Sequence, residues 1–187
     1  SALRVSRQAL WKHVQDLRDA GYNITAVPHL GYKLLSSPDR LFPSEITSRL
    51  KTKAIGRKIY YFDNIDSTMD AAMQLAVKNA PEGTIVLAEA QAKGRGRLGR
   101  SWASPKHKGI YISLILRPQT SLDKIPLLTL LSAVSVCEAV TELSGLEPQI
   151  KWPNDIMLHN KKLGGILTEL KADMDRAVFV IVGIGLN

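Results

Sequence analysis

The sequence predicts an α+β protein: a mixed, largely antiparallel sheet domain, preceded by a small segment with one helix and a β-hairpin. Two observations support this fold class. Strand-like and helix-like patterns follow one another without the strict alternation that a parallel βαβ sheet requires. Near the N-terminus, one helical pattern precedes two short alternating runs, which are separated by the turn at residues 28–31.

The length and charge of the chain restrict the classes of protein to which it can belong. The 187 residues, 45% of them hydrophobic, suffice for one medium domain and one small domain. Residues 1–60 carry 11 Lys and Arg against 4 Asp and Glu, which is most of the net charge of +8 and indicates contact with nucleic acid. The single cysteine, Cys137, excludes a disulfide framework and favours a cytoplasmic location. No apolar run of about 18 residues is present, so we expect no transmembrane helix.

The N-terminal segment has the pattern of a winged helix-turn-helix. Ser6 suits the N-cap of a helix over residues 7–20, and Gly21 suits its C-terminal end. A recognition helix presents its first residues to the major groove. The residues expected to contact DNA are therefore Ser6, Arg7, Gln8 and Lys12. The alternative is an accessory domain with a solvated basic face.

The expected motif is incomplete, because no room remains before Leu3 for the two helices that normally precede a recognition helix. We therefore expect the chain as given to bind DNA weakly or not at all. The expected organisation is a partial DNA-binding domain over residues 1–37, a linker and short helix over residues 38–58, and a main domain over residues 59–187.

The main domain alternates irregularly between strands and helices. Helices are expected over residues 69–79 and 125–143, and the second of these is apolar on most faces, so we expect it to be buried. The expected strands are residues 58–62, 84–90, 110–116, 149–152, 156–158, 162–171 and 177–184.

A glycine-rich, basic stretch over residues 91–102, here called the glycine loop, is the most distinctive feature. It holds three glycines and four cations and ends at Trp102. Glycines allow the backbone to approach a ligand closely, and arginines match carboxylate and phosphate oxygens. The loop therefore predicts a site for an anionic ligand. A solvated loop, or one that touches a nucleic-acid backbone, is the alternative.

Two further clusters carry polar side chains. Residues 151–155 read Lys-Trp-Pro-Asn-Asp, and Lys162 precedes the glycine pair Gly164 and Gly165. Each of these two clusters either contributes to a ligand-binding site or forms an ordinary turn. Ser67 and Thr68 are more often helix caps than ligand contacts. The four histidines are scattered, and neither a catalytic Ser/His/Asp pattern nor a P-loop is present.

In order and spacing, these motifs resemble those of the biotin protein ligases. The motifs are Asp66-Ser67-Thr68, Gly94-Arg95-Gly96-Arg97-Leu98-Gly99-Arg100-Ser101-Trp102, Lys151-Trp152-Pro153-Asn154-Asp155, Lys162-Leu163-Gly164-Gly165 and Gly183-Ile184-Gly185-Leu186-Asn187. The N-terminal helix and wing resemble the bifunctional bacterial type, which also represses the biotin operon. The resemblance implies a central domain similar to class II aminoacyl-tRNA synthetases and lipoate ligases.

The resemblance also implies an activity in two steps. Biotin and MgATP give biotinyl-5′-AMP and pyrophosphate, and a lysine of the biotin carboxyl carrier protein of acetyl-CoA carboxylase then takes the biotin. The adenylate would act as corepressor and favour a homodimer on operator DNA. Other readings are a ligand-sensing DNA-binding regulator without ligase activity and a lipoate-type ligase.

The resemblance assigns roles to individual residues. The implied catalytic cations are Arg95, Arg97 and Lys162. The implied biotin contacts are Ser67, Thr68, Met69, Gln91, Gly94, Arg95, Gly96, Arg97, Lys162, Gly164 and Gly165. The implied ATP and adenylate contacts are Arg100, Trp102, Asn154, Asp155 and Asn187, with Asp155 also near Mg²⁺.

Two departures from the family pattern affect these expectations. Met69 stands where many members have a polar residue, so a contact there would come from its backbone. The chain also ends before the family's adenylate-closing loop and its SH3-like C-terminal domain, and we therefore expect the chain as given to bind ATP and transfer biotin less well. The glycine loop is expected to be mobile until biotin binds.

Overall fold

The computed structural model describes residues 5–174 and 176–187. The chain divides into two compact units between Arg40 and Leu41. The expected turn around Leu3 lies outside the described residues. The predicted α+β class with a mixed, largely antiparallel sheet is confirmed.

The N-terminal unit contains the predicted helix and hairpin. Helix α1 (Arg7–Asp19) begins at Ser6, whose hydroxyl accepts a hydrogen bond from the backbone N–H of Ala9 at 3.2 Å. The helix ends before Gly21, which has a φ of +96° that few other residues adopt. Strands β1 (Asn23–Val27) and β2 (Gly31–Ser36) follow as an antiparallel pair.

The second unit is built on a seven-stranded sheet with the order β3-β4-β5-β9-β8-β7-β6. Its strands are β3 (Ile59–Phe62), β4 (Ile85–Ala88), β5 (Ile110–Leu116), β6 (Gln149–Lys151), β7 (Asp155–Leu158), β8 (Lys161–Asp173) and β9 (Arg176–Leu186). Only the β3–β4 pair is parallel. A short helix, α2 (Pro43–Thr47), precedes the sheet.

Two helices pack on opposite faces of this sheet. Helix α3 (Thr68–Val77) shares one apolar cluster with Phe179 and Ile181 of β9, and helix α4 (Pro126–Ser144) shares the other with Val180 and Val182. Successive side chains of a strand point to opposite faces, so this alternation places the helices on different sides. The long strands β8 and β9 form the centre of the core.

The expectation that the long apolar helix is buried is wrong. Ala133 is its only fully buried residue, while Leu131 is 61% exposed and Leu143 is 87% exposed. A helix lying on a sheet buries only the stripe that faces the sheet, and here that stripe carries Ala133, Val136 and Cys137. The segment Leu122–Ser144 is long and apolar enough to cross a membrane by length and composition alone, which is weak evidence for one such helix, so the expectation of no transmembrane helix stays a prediction.

Candidate functional site

A cleft with about 470 Å³ of empty space, part of it open to solvent, lies between the glycine loop and the centre of the sheet. Its lining comes from the start of α3, the glycine loop, the turn between β6 and β7, and strands β5, β8 and β9. The lining residues are Thr68, Met69, Gln91, Arg95, Gly96, Arg97, Trp102, Ile112, Asn154, Lys162, Gly165, Ile166, Leu167, Gly183, Ile184 and Gly185. The cleft therefore gathers residues from the separate sequence motifs.

Glycines form the floor of this cleft. Gly165 of β8 and Gly185 of β9 are direct partners in the sheet, and the indole of Trp102 lies against both. A Cβ atom on Gly185 would lie 2.5 Å from this ring, and one on Gly183 would lie 2.5 Å from the sulfur of Met69. Any larger residue at these positions would push the aromatic or thioether side chain out of place.

Trp102 also has a polar atom without a partner. Its Nε1–H is buried and makes no hydrogen bond to any described residue. A buried donor without an acceptor is costly, so it is a favourable place for an acceptor atom of a ligand or for water.

The glycine loop is closed by backbone hydrogen bonds. The N–H of Trp102 donates to the carbonyl of Gly94 at 2.8 Å, and the N–H of Gly96 donates to the carbonyl of Arg100 at 2.7 Å. A Cβ atom on Gly94 would lie 2.4 Å from the Trp102 carbonyl oxygen, so this approach requires glycine. At the tip, Leu98 is 89% exposed.

Arg95 ties the glycine loop to two other elements. Its guanidinium lies 2.7 Å from a carboxylate oxygen of Asp70 on α3 and 3.0 Å from one of Glu169 on β8. The second guanidinium nitrogen also donates to Glu169 at 3.0 Å, so this pair is bidentate. The charge of Arg95 is therefore balanced within the chain.

Arg97 and Lys162 are likewise paired, with residues of the 151–155 cluster. Arg97 donates to the side-chain oxygen of Asn154 at 2.7 Å, while the amide nitrogen of Asn154 donates to the carbonyl of Ile166. Lys162 Nζ lies 2.7 Å from Asp155 Oδ1 and 5.3 Å from the centre of the Trp102 ring. These contacts bring the glycine loop, the 151–155 cluster and Lys162 together beside the cleft.

A chain of hydrogen bonds runs through Thr68 and Gln91, two residues that line the cleft. Ser113 donates to the hydroxyl of Thr68 at 2.9 Å, and that hydroxyl donates to Gln91 Oε1 at 3.0 Å. Gln91 Oε1 also accepts from the backbone N–H of Thr68 at 2.8 Å, and Gln91 Nε2 donates to Ser104 at 2.9 Å. The lining thus has a neutral polar part with Thr68 and Gln91, called the neutral end below, and a cationic part with Arg97 and Lys162, called the cationic end.

Several predicted site residues lie outside the lining of the cleft: Ser67, Gly94, Arg100, Asp155, Gly164 and Asn187. Ser67 caps α3 by accepting from the N–H of Asp70 at 3.4 Å. Asp155 contacts the cleft through its ion pair with Lys162. The backbone N–H of Asn187 donates to the carbonyl of Leu163, which places the end of β9 beside the start of β8.

The four residues expected to contact DNA all lie at the start of α1 and are exposed. Arg7, Gln8 and Lys12 present their side chains to solvent, and the hydroxyl of Ser6 is used to cap the helix. This arrangement leaves a basic, accessible helix start.

Sequence reasoning missed four residues that support the site. Asp70 and Glu169 bind Arg95, and Ser104 and Ser113 extend the hydrogen-bond chain. Ser113 had a recognisable signal, since it is a lone hydroxyl in the apolar strand at residues 110–116. The other three had none, because their partners are 13 or more residues away in the chain.

The pKa of one lysine beside the cleft is raised. At the start of the glycine loop, a hydrogen bond from Lys93 to Asp66 raises the pKa of that exposed ammonium. Among residues 5–174 and 176–187, no group of three or more His, Cys, Asp or Glu is placed to hold a metal ion.

Comparison with known families gives two matches. Residues 61–187 match the biotin/lipoate A/B protein ligase family, and residues 1–33 match a helix-turn-helix domain. Among individual proteins, the bifunctional ligase/repressor BirA of Bacillus subtilis is 49% identical over 186 residues. BirA of Escherichia coli is 33% identical over 185 residues. The chain spans 57% and 56% of the length of these relatives, while they cover 100% and 99% of the chain.

Solved structures show the same similarity. The biotin protein ligase of Aquifex aeolicus in complex with biotin and ATP matches with a TM-score of 0.56 and 38% identity. The match covers 70% of this chain and 52% of that one. The biotin protein ligase of Leishmania major in complex with biotinyl-5-AMP has a TM-score of 0.58 and 31% identity, covering 70% and 57% of the two chains.

Proposed function

This chain belongs to the biotin/lipoate A/B protein ligase family, and from this premise we propose that it is the DNA-binding and ligand-binding part of a biotin protein ligase that also represses transcription. The ligase would activate biotin with ATP to biotinyl-5′-AMP and transfer the biotin to a lysine of a carrier protein. The matched relatives carry both functions in their names.

One observation supports this proposal most directly: the cleft has two chemically different ends. The neutral end offers Thr68 and Gln91, which suit the ureido group of biotin, because that group has both N–H donors and a carbonyl acceptor. The cationic end offers Arg97 and Lys162, which suit the biotin carboxylate and a phosphate. Lipoate has a carboxylate but no ureido group, so biotin fits both ends better.

Adenylation joins two anions that repel each other, and the cations of the cleft would reduce that repulsion. The biotin carboxylate must approach the α-phosphate of ATP, and charge then accumulates on the phosphate oxygens. We assign Arg97 and Lys162 to reduce this repulsion and stabilise the transition state. Arg95 contributes less directly, since Asp70 and Glu169 balance its charge. The carboxylate itself is the nucleophile, so the chain has to position the two substrates rather than supply a nucleophile.

The nucleotide would bind beside the cationic end of the cleft, where the biotin carboxylate would lie. Trp102 offers a flat ring for the adenine, and Asn154 and Asn187 offer amides at the edge of the sheet. Arg100 would meet phosphate. Mg²⁺ would arrive with ATP, and Asp155 is the carboxylate that we assign to it. A single carboxylate fits an ion that takes most of its oxygen ligands from water and phosphates.

The N-terminal unit would read operator DNA through the exposed start of α1, with Arg7, Gln8 and Lys12 in the major groove. The remaining partners that we propose are the biotin carboxyl carrier protein and a second copy of the chain when the adenylate is bound. The cytoplasm is the proposed location, since Cys137 is a free thiol.

The first test is release of pyrophosphate from MgATP in the presence of biotin or lipoate, with mass detection of the acyl-AMP. We expect biotin-dependent release, and Lys162→Gln is expected to lower its rate by about 100-fold, as loss of a transition-state charge contact does. The matched control is Lys108→Gln, an exposed lysine outside the cleft. Biotin binding without pyrophosphate release would instead favour a regulator without catalysis, and lipoate-dependent release would favour a lipoate ligase.

A further inference from the structure

Ser104 is held in a tight, nearly buried position between Gln91 and the end of the glycine loop. It is 7% exposed. Its hydroxyl accepts from Gln91 Nε2 at 2.9 Å and donates to the carbonyl of Trp102 at 3.2 Å. A Cβ atom on Gly94 would lie 2.8 Å from this hydroxyl, so nothing larger than glycine fits beside it.

These bonds fix which way the Gln91 amide faces. A backbone N–H can only donate, so the N–H of Thr68 requires the oxygen end of the amide at that side. A carbonyl can only accept, so the Trp102 carbonyl takes the proton of the Ser104 hydroxyl. That hydroxyl can then only accept from Gln91, and it holds the nitrogen end of the amide.

We propose that Ser104 is a positioning residue for the ligand, and that it acts through Gln91. Ser104 does not line the cleft, whereas Gln91 and Thr68 do. With the amide locked at both ends, Gln91 presents a fixed donor and acceptor pattern to the neutral end of the cleft. The inference rests on the proposed function, because it assigns the biotin ureido group to that end.

The same hydroxyl links recognition to the glycine loop. Through the Trp102 carbonyl, Ser104 joins the Gln91 amide to the residue whose N–H closes the loop on Gly94. Loss of the hydroxyl leaves the nitrogen end of the amide without this partner, so that only Thr68 holds the amide, and it removes one bond from the Trp102 carbonyl. Biotin would then have to order the amide on binding, which weakens its affinity.

The experiment is calorimetric titration of biotin into the whole chain and into Ser104→Ala. We expect biotin affinity to fall by about five-fold in the variant, the size of one lost hydrogen bond. The matched control is Ser132→Ala, which also removes a hydroxyl bonded to a backbone carbonyl but lies on α4, outside the cleft. Its biotin affinity should stay within about two-fold of wild type.

A double-mutant cycle separates positioning from a general structural role. In a Gln91→Ala background, Ser104→Ala should change biotin affinity by less than about two-fold, because the amide it orients is gone. Ser104→Cys keeps the shape of the side chain, with a larger sulfur that is a weaker acceptor, so it should show the loss even if the alanine variant folds poorly. Circular dichroism melting monitors folding in every variant.

Three results overturn the inference while leaving the proposed function intact. These are wild-type biotin affinity in folded Ser104→Ala, the same affinity in folded Ser104→Cys, and an undiminished effect of Ser104→Ala in the Gln91→Ala background. If the wild-type chain is folded but takes up no biotin, the proposed function fails, and this inference fails with it.

Discussion

At the residue scale, the cations that the cleft offers to a ligand are already engaged within the chain. Arg95 is paired with two carboxylates, Arg97 with Asn154, and Lys162 with Asp155. An anionic ligand therefore has to compete with these partners for the cations or use the donors that they leave free. Asp155 is the competing carboxylate at the Lys162 ammonium.

Removal of this competitor gives the first prediction at this scale. Asp155→Asn should bind biotin about two- to three-fold more tightly, because Lys162 no longer has to leave an anion; the gain is small because the pair is partly exposed. Calorimetry at low and high salt measures the biotin affinity, and the increase in affinity should become smaller as the salt concentration rises. Release of pyrophosphate should nevertheless slow, since Asp155 is the residue assigned to the metal of MgATP.

The control for this variant is Asp173→Asn, which makes the same change of charge at the far end of β8. It should leave biotin affinity unchanged. An equal increase of biotin affinity in both variants would mean that the change of net charge alone is responsible. Weaker biotin binding by Asp155→Asn would show that Asp155 stabilises the bound ligand rather than competing with it.

At the element scale, the glycine loop is fastened by Arg95 to α3 and β8. The exposed fractions of the three side chains are 40%, 52% and 28% for Arg95, Asp70 and Glu169, so each pair contributes modestly. Together with the backbone bonds at Gly94 and Gly96, they hold a loop whose tip is exposed. The expected mobility of the loop before biotin binds stays a prediction.

Removing one of the ion pairs of Arg95 should make the glycine loop easier for trypsin to cleave. Glu169→Gln is expected to raise the rate of tryptic cleavage after Arg97 or Arg100 by about two- to five-fold, since exposed ion pairs are worth well under 2 kcal/mol. Biotin should slow cleavage in both proteins. Glu142→Gln, an exposed change on α4, serves as control. Unchanged cleavage in Glu169→Gln would indicate that the backbone bonds and the Asp70 pair hold the loop without Glu169.

At the scale of the whole molecule, positive charge is concentrated in the first third of the chain and in the glycine loop. The charge of α1 is exposed at the helix start, whereas the cations of the cleft are paired. The two regions therefore suit different ligands: a long polyanion for the first and a small anion for the second.

The charge distribution predicts which substitutions lower the affinity of the chain for DNA. The chain is expected to bind duplex DNA only weakly, and Lys12→Ala should weaken this binding further and lower the slope of log affinity against log salt by about 1, as loss of one phosphate contact does. Lys108→Ala, outside the basic first third, should leave the slope unchanged. Fluorescence anisotropy over a range of salt concentrations measures both, and equal slopes for all three proteins would contradict the assignment of α1.

Much of the fold and of the site was accessible from the sequence. The period of apolar residues predicted α1, the hairpin and strand β5 with its exact limits. The order of the motifs predicted the family, and the family match confirms it. The long helix was misjudged, because composition gives the apolar content of a helix but not how much of its surface a sheet can cover.

What the sequence determined by itself was local: which stretches form helices and strands, where glycine is required, and which residue types are brought to a ligand. Only the tertiary structure decided how those residues are paired. The partners of Arg95 lie on α3 and β8, and Ser104 reaches Gln91 across the base of the glycine loop. Such pairs depend on strand order and on distances of a few Å between segments far apart in the chain, which no local pattern encodes.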